Sequence, residues 1–169
     1  GVLLLTCGVD VQKGSKDKEQ RIEVQVYGWG KDEECWLIYR GFIPGNLRKK
    51  EETWNRLDEF YERVWKRKDG IPMTFVRKFE ASGYGTRLVY EHTRGKHARG
   101  VFAIKGANRY GADLLPRKIS MVDKGRTPLL VIGTQAAKAE IMGRLNDVKE
   151  PGAKYIHFCK AFADRSYFE

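Results

Sequence analysis

Apolar and polar positions along the chain predict strands first and helices later. Leu3-Leu4-Leu5-Thr6-Cys7-Gly8-Val9-Asp10-Val11 is mostly apolar and predicts a buried strand. A polar turn region, Lys13 to Gln20, separates it from Arg21 to Tyr27, where Ile22, Val24 and Val26 alternate onto one face of a second strand. Gly28-Trp29-Gly30 and Asp32-Glu33-Glu34 lead into a third strand, Cys35 to Tyr39. Connections this short allow only an antiparallel meander.

Pro44 and Gly45 close that unit, and the period then changes. Trp54, Leu57, Tyr61, Val64 and Trp65 form one apolar stripe, which predicts a helix from Arg48 to Lys68. Lys and Arg crowd its expected last turn, where the helix dipole favours cations, and Asp69-Gly70 stops it. Thr74 to Phe79 predicts a fourth strand, Ser82-Gly83-Tyr84-Gly85-Thr86 a turn, and the residues to Thr93 a short helix. Val101 to Ile104 and Leu129 to Ile132 predict two more strands. Thr134 is the expected cap of a helix running to Leu145, with Ala137, Ile141 and Leu145 inward, and Tyr155 to Phe158 is a last strand. Lys105 to Thr127 lacks periodicity and is too long for an ordinary connector, so it reads as a functional loop, a small hairpin or a mobile segment. Three antiparallel strands followed by crossover helices and parallel strands give an α/β fold with a mixed sheet. That order is the order of the ribonuclease-H-like architecture, which holds metal-dependent nucleases, integrases and resolvases. Fold by itself does not settle function.

Composition narrows the class. The chain has 169 residues, 41% of them hydrophobic, enough for one domain with its own core. No apolar run reaches the length of a membrane span or of a signal-peptide core. Three cysteines without CxxC spacing fit a reduced, cytosolic protein. Lys and Arg outnumber Asp and Glu by 32 to 22. Ten of those cations lie between Arg87 and Arg126 against three acids, Glu91, Asp113 and Asp123. Such a cluster predicts a polyanionic partner, nucleic acid first and an acidic membrane second, with Arg87, Arg94, Lys96, Arg99, Arg109, Arg117 and Lys118 as the candidate contacts. The plain alternative is a solvated surface.

The chemistry is sparse. Asp10 ends an otherwise apolar strand, where a carboxylate is paired, caps the following turn, or holds a cation. Glu80 ends the fourth strand, which in this order lies beside the first, so the two acids could share divalent ions. Gln12 could contact the metal's water shell or DNA, or simply hydrogen-bond within its loop; Lys105, at the end of the fifth strand, could steady a phosphate or equally be a solvent-facing lysine. His157 and Cys159 share a face without a second pair to complete a zinc site. Ser82 lacks the Gly-x-Ser-x-Gly context of a hydrolase nucleophile. Gly83-x-Gly85 lacks the rest of a nucleotide-binding loop, and no Walker A sequence is present.

Gly8-Val9-Asp10-Val11-Gln12, Arg21-Ile22-Glu23-Val24 and Tyr27-Gly28-Trp29-Gly30 together resemble the opening of the nuclease domain of tailed-phage terminase large subunits, lambda-like group. The resemblance continues through Ser82-Gly83-Tyr84-Gly85-Thr86, Val101 to Gly106, Gly133 to Lys138, and Pro151-Gly152 with Tyr155 to Phe158. It implies a single ribonuclease-H-like nuclease domain over residues 1–169, with the ATPase motor of the intact protein outside this chain and the C-terminal end trimmed. It further implies an endonuclease that cuts concatemeric viral DNA during packaging in the host cytoplasm, using Mg²⁺ or Mn²⁺, two ions in all. The implied partners are duplex DNA, the small terminase subunit and, through the full-length protein, the portal and procapsid, with no membrane. Specificity would come from the small subunit.

Asp10 matches the first acid of the family. The second is an Asp just before Ser-Gly, and that position here is Ala81, with Glu80 one residue earlier. Three readings stay open: an engineered change, a natural loss, or Glu80 in its place. The third family acid lies beyond the last strand, where this chain has only Asp164 before its end. A catalytically silent DNA-binding module is therefore the alternative to the nuclease, and an integrase or resolvase would need an acid triad that cannot be assembled here.

Overall fold

Alternating side chains set the start of the fold. In the computed structural model, which describes residues 1–15 and 19–161, the first strands are β1 (Leu4–Gln12), β2 (Arg21–Trp29) and β3 (Cys35–Pro44), paired as the expected antiparallel meander. Leu5, Cys7, Val9 and Val11 alternate onto one face with Ile22, Val24, Val26 and Ile43, and all are buried. The other face of the same strands carries Thr6, Asp10, Gln12, Arg21, Glu23 and Gln25.

Helix α1 (Lys50–Tyr61) covers the apolar face with Trp54, Leu57, Phe60 and Tyr61, all buried. Each such side chain contributes on the order of 2 kcal/mol of burial free energy. The aromatic stripe is core at Trp54 and Tyr61, as its spacing predicted. The helix nevertheless ends well before Lys68. Val64 is 59% exposed, and β4 (Trp65–Lys66) pairs with β5 (Pro72–Met73) in a small hairpin. Trp65 leaves the helix because its ring packs edge-on against Tyr39 at 5.6 Å and Phe75 at 5.9 Å, contacts that a continued helix would not reach. The expected basic last turn is absent for the same reason, and Arg67 pairs with Asp69 in the hairpin turn.

The chain then forms β6 (Phe75–Ala81), α2 (Thr86–Thr93), β7 (Val101–Gly106), β8 (Ser120–Val122), β9 (Thr127–Ile132), α3 (Thr134–Asp147) and β10 (Ile156–Phe158). Among the described residues eight strands form one mixed sheet in the order β10-β3-β2-β1-β6-β7-β9-β8. β1, β6, β7 and β9 run parallel, and β10 runs parallel to β3 at the far edge. The aperiodic stretch after β7 resolves into β8, a hairpin partner of β9. It closes on Gly133, whose N–H donates to the Asp113 carbonyl at 3.0 Å; a Cβ there would lie 2.2 Å from the Ala112 oxygen. Gly85 precedes α2 with φ +63°, a left-handed conformation that glycine adopts without strain.

Helix α3 departs from expectation. Gly133 holds the cap position, Thr134 opens the helix, and no residue of α3 is buried. Ala137, Ile141 and Leu145 do face the sheet, yet they line an apolar cavity of about 520 Å³ with Tyr27, Trp29, Ile156 and Phe158, and Ile141 stays 51% exposed. Among the described residues no helix is long and apolar enough to cross a membrane.

Candidate functional site

Asp10 stands near the C-terminal end of β1, exposed, at the place where the sheet order reverses between β2 and β6. In open α/β sheets the crevice at such a point is the usual binding site. Its register partners are Ala81 on β6 and Glu23 on β2, and Ala81 in turn pairs with Ile104 on β7. Partners across a ladder project from the same face, so the position of the expected second acid is side by side with Asp10. It carries a methyl group.

The neighbouring row is polar and cross-linked, and sequence reasoning missed most of it. Gln12 donates from Nε2 to Glu23 Oε2 at 2.9 Å and lies 3.4 Å from Asp10 Oδ2, while its oxygen accepts from Arg21 Nε at 2.7 Å. Arg40 Nε donates to Glu23 Oε1 at 2.7 Å, and Gln25 Nε2 donates to the same oxygen at 3.0 Å. Burial pushes the Glu23 carboxyl up, but these donors outweigh it and hold it below its usual range. Glu23 is therefore a charged, saturated neighbour of Asp10. The alternation of β2 placed it on the Asp10 face; only the register of three strands shows its partners.

Glu80 lies on the opposite face. Its register partners are Val9 and Ala103, and it is fully buried beneath α1 and α2. Tyr61 donates its hydroxyl to Glu80 Oε1 at 2.9 Å, and His92 Nδ1 stands 2.9 and 3.0 Å from the two oxygens. His92 Nε2 is 3.2 Å from Asp58 Oδ1, and Lys96 Nζ is 2.7 Å from that carboxylate. Burial disfavours a charged imidazole, yet Asp58 and Glu80 together hold His92 above its ordinary pKa. Burial raises the Asp58 pKa, but hydrogen bonds from His92 and Lys96 bring it down to about 2. The structure thus does not bring Glu80 to Asp10; it makes Glu80 the anchor of a buried ionic cluster.

Lys105 is exposed at the end of β7 and by register falls on the Glu80 face. Ser82 is buried with its hydroxyl donating to the Ile104 carbonyl at 2.9 Å. Asp164 lies outside the described residues. Among the described residues no three His, Cys, Asp or Glu side chains converge as a metal cage. The donor set next to Asp10 fits one hard divalent ion, which can take a single carboxylate and complete its shell with water and a phosphate.

The basic stretch is not one bare surface. Arg87 pairs with Glu91 at 2.8 Å, Lys96 with Asp58 at 2.7 Å, Arg117 with Asp113 at 3.4 Å, Arg94 with Asp123, and Arg99 with Glu62. Arg87 lies in the first turn of α2, which follows the end of β6 where Ala81 pairs with Asp10. Lys96 and Arg99 sit before β7, at the other end of the strands. Arg109 and Lys118 are exposed, and neither forms an ion pair among the described residues.

The family of the terminase large subunit gpA, endonuclease domain, matches the chain over residues 1–169. The chain is similar to the terminase large subunit of Escherichia phage lambda, 35% identical over 165 residues, 93% of this chain and 24% of that protein. It is also 27% identical over 164 residues to the terminase large subunit of Enterobacteria phage P21, covering 96% of this chain and 24% of the relative. The chain thus spans about a quarter of the length of the curated relatives it matches. No solved structure matches.

Proposed function

This chain belongs to the family of terminase large subunit gpA endonuclease domains, and from that premise we propose that it is a ribonuclease-H-like domain acting on duplex DNA, with Asp10 as its metal-facing acid. The observation that carries the reading is the row across β6, β1 and β2. Asp10 and the Ala81 position occupy adjacent parallel strand ends on one face, where two carboxylates would be needed for phosphodiester cleavage. When bound, Mg²⁺ or Mn²⁺ polarises a phosphoryl oxygen and acidifies a water. The chain itself holds Asp10 open to solvent, keeps Gln12 beside it, and fixes Gln12 through Glu23 and Arg21. In the whole protein we assign this domain the cutting of concatemeric DNA during packaging in the host cytoplasm, with the small terminase subunit, portal and procapsid as partners.

A second reading is favoured by one residue. With Ala81 in place the Asp10 face lacks its second carboxylate, so this chain would bind DNA without cutting it. A supercoiled-plasmid nicking assay in Mn²⁺, run on this chain and on Ala81→Asp, separates the two. Cutting by the variant alone supports a nuclease face disabled at Ala81. Cutting by both rejects the silent reading. Binding without cutting by either supports the silent module.

A further inference from the structure

Arg21 opens β2 beside the Asp10 end of β1, and its guanidinium is held before any ligand arrives. Gln12, its register partner, accepts from Arg21 Nε at 2.7 Å. The guanidinium carbon stands 4.2 Å from the centre of the Phe42 ring, which remains 42% exposed on β3. Arg40 approaches the same ring at 5.4 Å, but its charge is answered by Glu23 at 2.7 Å. Arg21 forms no ion pair among the described residues. Stacking and the Nε bond fix the guanidinium, and its two terminal nitrogens make no ion pair among the described residues; such a planar fork can take a phosphate bidentately.

We infer that Arg21, backed by Phe42, is a phosphate anchor that binds one phosphodiester of the DNA strand passing Asp10. Ala81, Asp10, Glu23 and Phe42 are successive register partners across β6, β1, β2 and β3. Arg21 is two residues before Glu23 on the same face and so lies diagonal to Asp10 across the β1–β2 ladder, about 7–8 Å away. Among the cations of the Arg87 to Arg126 stretch, Arg87, Arg94, Lys96, Arg99 and Arg117 already hold a carboxylate. An arginine ordered in advance and uncommitted loses less freedom on binding and displaces no partner. The anchor rests on the DNA-binding reading proposed above.

The test is fluorescence anisotropy of a short labelled DNA duplex, in EDTA, across roughly 50 to 200 mM salt. Arg21→Gln should weaken binding about tenfold. It should also reduce the slope of log affinity on log salt by about 0.9, the share of one phosphate. Phe42→Leu should lose part of that affinity and keep the slope. Arg21→Lys, which keeps the charge and loses the fork, should do the same. Lys68→Gln, in the cavity beside Gly1 and Val2 at the other end of β1, should change neither. Thermal melting confirms that each variant is folded. If the parent chain binds DNA and Arg21→Gln matches it in affinity and slope, the anchor is wrong and the DNA-binding reading stands. An equal loss in Lys68→Gln would show a net-charge effect and also overturn it. If the parent chain does not bind duplex at all, both fall.

Discussion

Asp10 and Ala81 are register partners on adjacent parallel strands, so their side chains leave the same open face of the sheet. Placing a carboxylate there should strengthen divalent-ion binding beside Asp10 through a single substitution. For Ala81→Asp we expect the melting temperature to fall in EDTA, from repulsion between neighbouring carboxylates, and to rise in Mn²⁺. At a hundredfold excess over the dissociation constant the gain is about 2.7 kcal/mol, which moves melting by roughly 5 °C or more in a domain of this size. The parent chain should shift far less. An equal Mn²⁺ shift in both proteins would place the metal elsewhere.

Removing the first acid should separate cutting from binding. In the Ala81→Asp background, Asp10→Ala is expected to abolish plasmid nicking while duplex affinity, read by anisotropy, stays within about twofold, because a lone exposed carboxylate contributes little to phosphate binding. Cleavage with unchanged metal dependence would remove Asp10 from the site.

Glu80 should behave as a structural residue. Glu80→Ala leaves Tyr61 and His92 without their buried acceptor and is expected to cost about 3–5 kcal/mol. Urea denaturation gives the number. A loss of under about 1 kcal/mol would mean the buried cluster is not built around Glu80.

The same cluster sets a pH window. The Asp58 pKa is depressed from 3.8 to about 2, so its contribution is complete above pH 3.8 and disappears as pH falls toward 2. The His92 pKa is raised from 6.5, so its contribution is complete below pH 6.5 and is lost as pH climbs through the raised value. Stability from these groups should therefore be greatest between about pH 4 and 6.5. Urea midpoints across pH should show both limbs, and His92→Gln should lose the alkaline one. An unchanged alkaline limb in that variant would assign it to another group.

The strands were readable because period-two alternation is local: Ile22, Val24 and Val26 declare a buried face without reference to the rest of the chain. The exposed position of Asp10 near the end of β1 was readable for a related reason, as a charge interrupting an apolar run. The end of α1 was not, since Trp65 continues the helical stripe in sequence and is drawn off it only by Tyr39 and Phe75, from two other strands. Burial along α3 was misread because periodicity shows which way a side chain faces and says nothing about whether the facing layer closes over it. The roles of Glu23 and Glu80 depend on partners far along the chain, Arg40 for one and His92 for the other, and pairing across strands fixes them.

If duplex DNA is the partner, as proposed, the ion pairs that run through the basic stretch would set how long a phosphate stays. A backbone arriving at Arg87 or Arg94 must trade places with Glu91 or Asp123, so each contact is an exchange of one anion for another. Exchanges of that kind return little net free energy and reverse easily. Such a surface lets a polyanion slide across it with short dwell times. On the DNA-binding reading, firm grip would be left to the few cations, Arg21 foremost, that hold no carboxylate among the described residues.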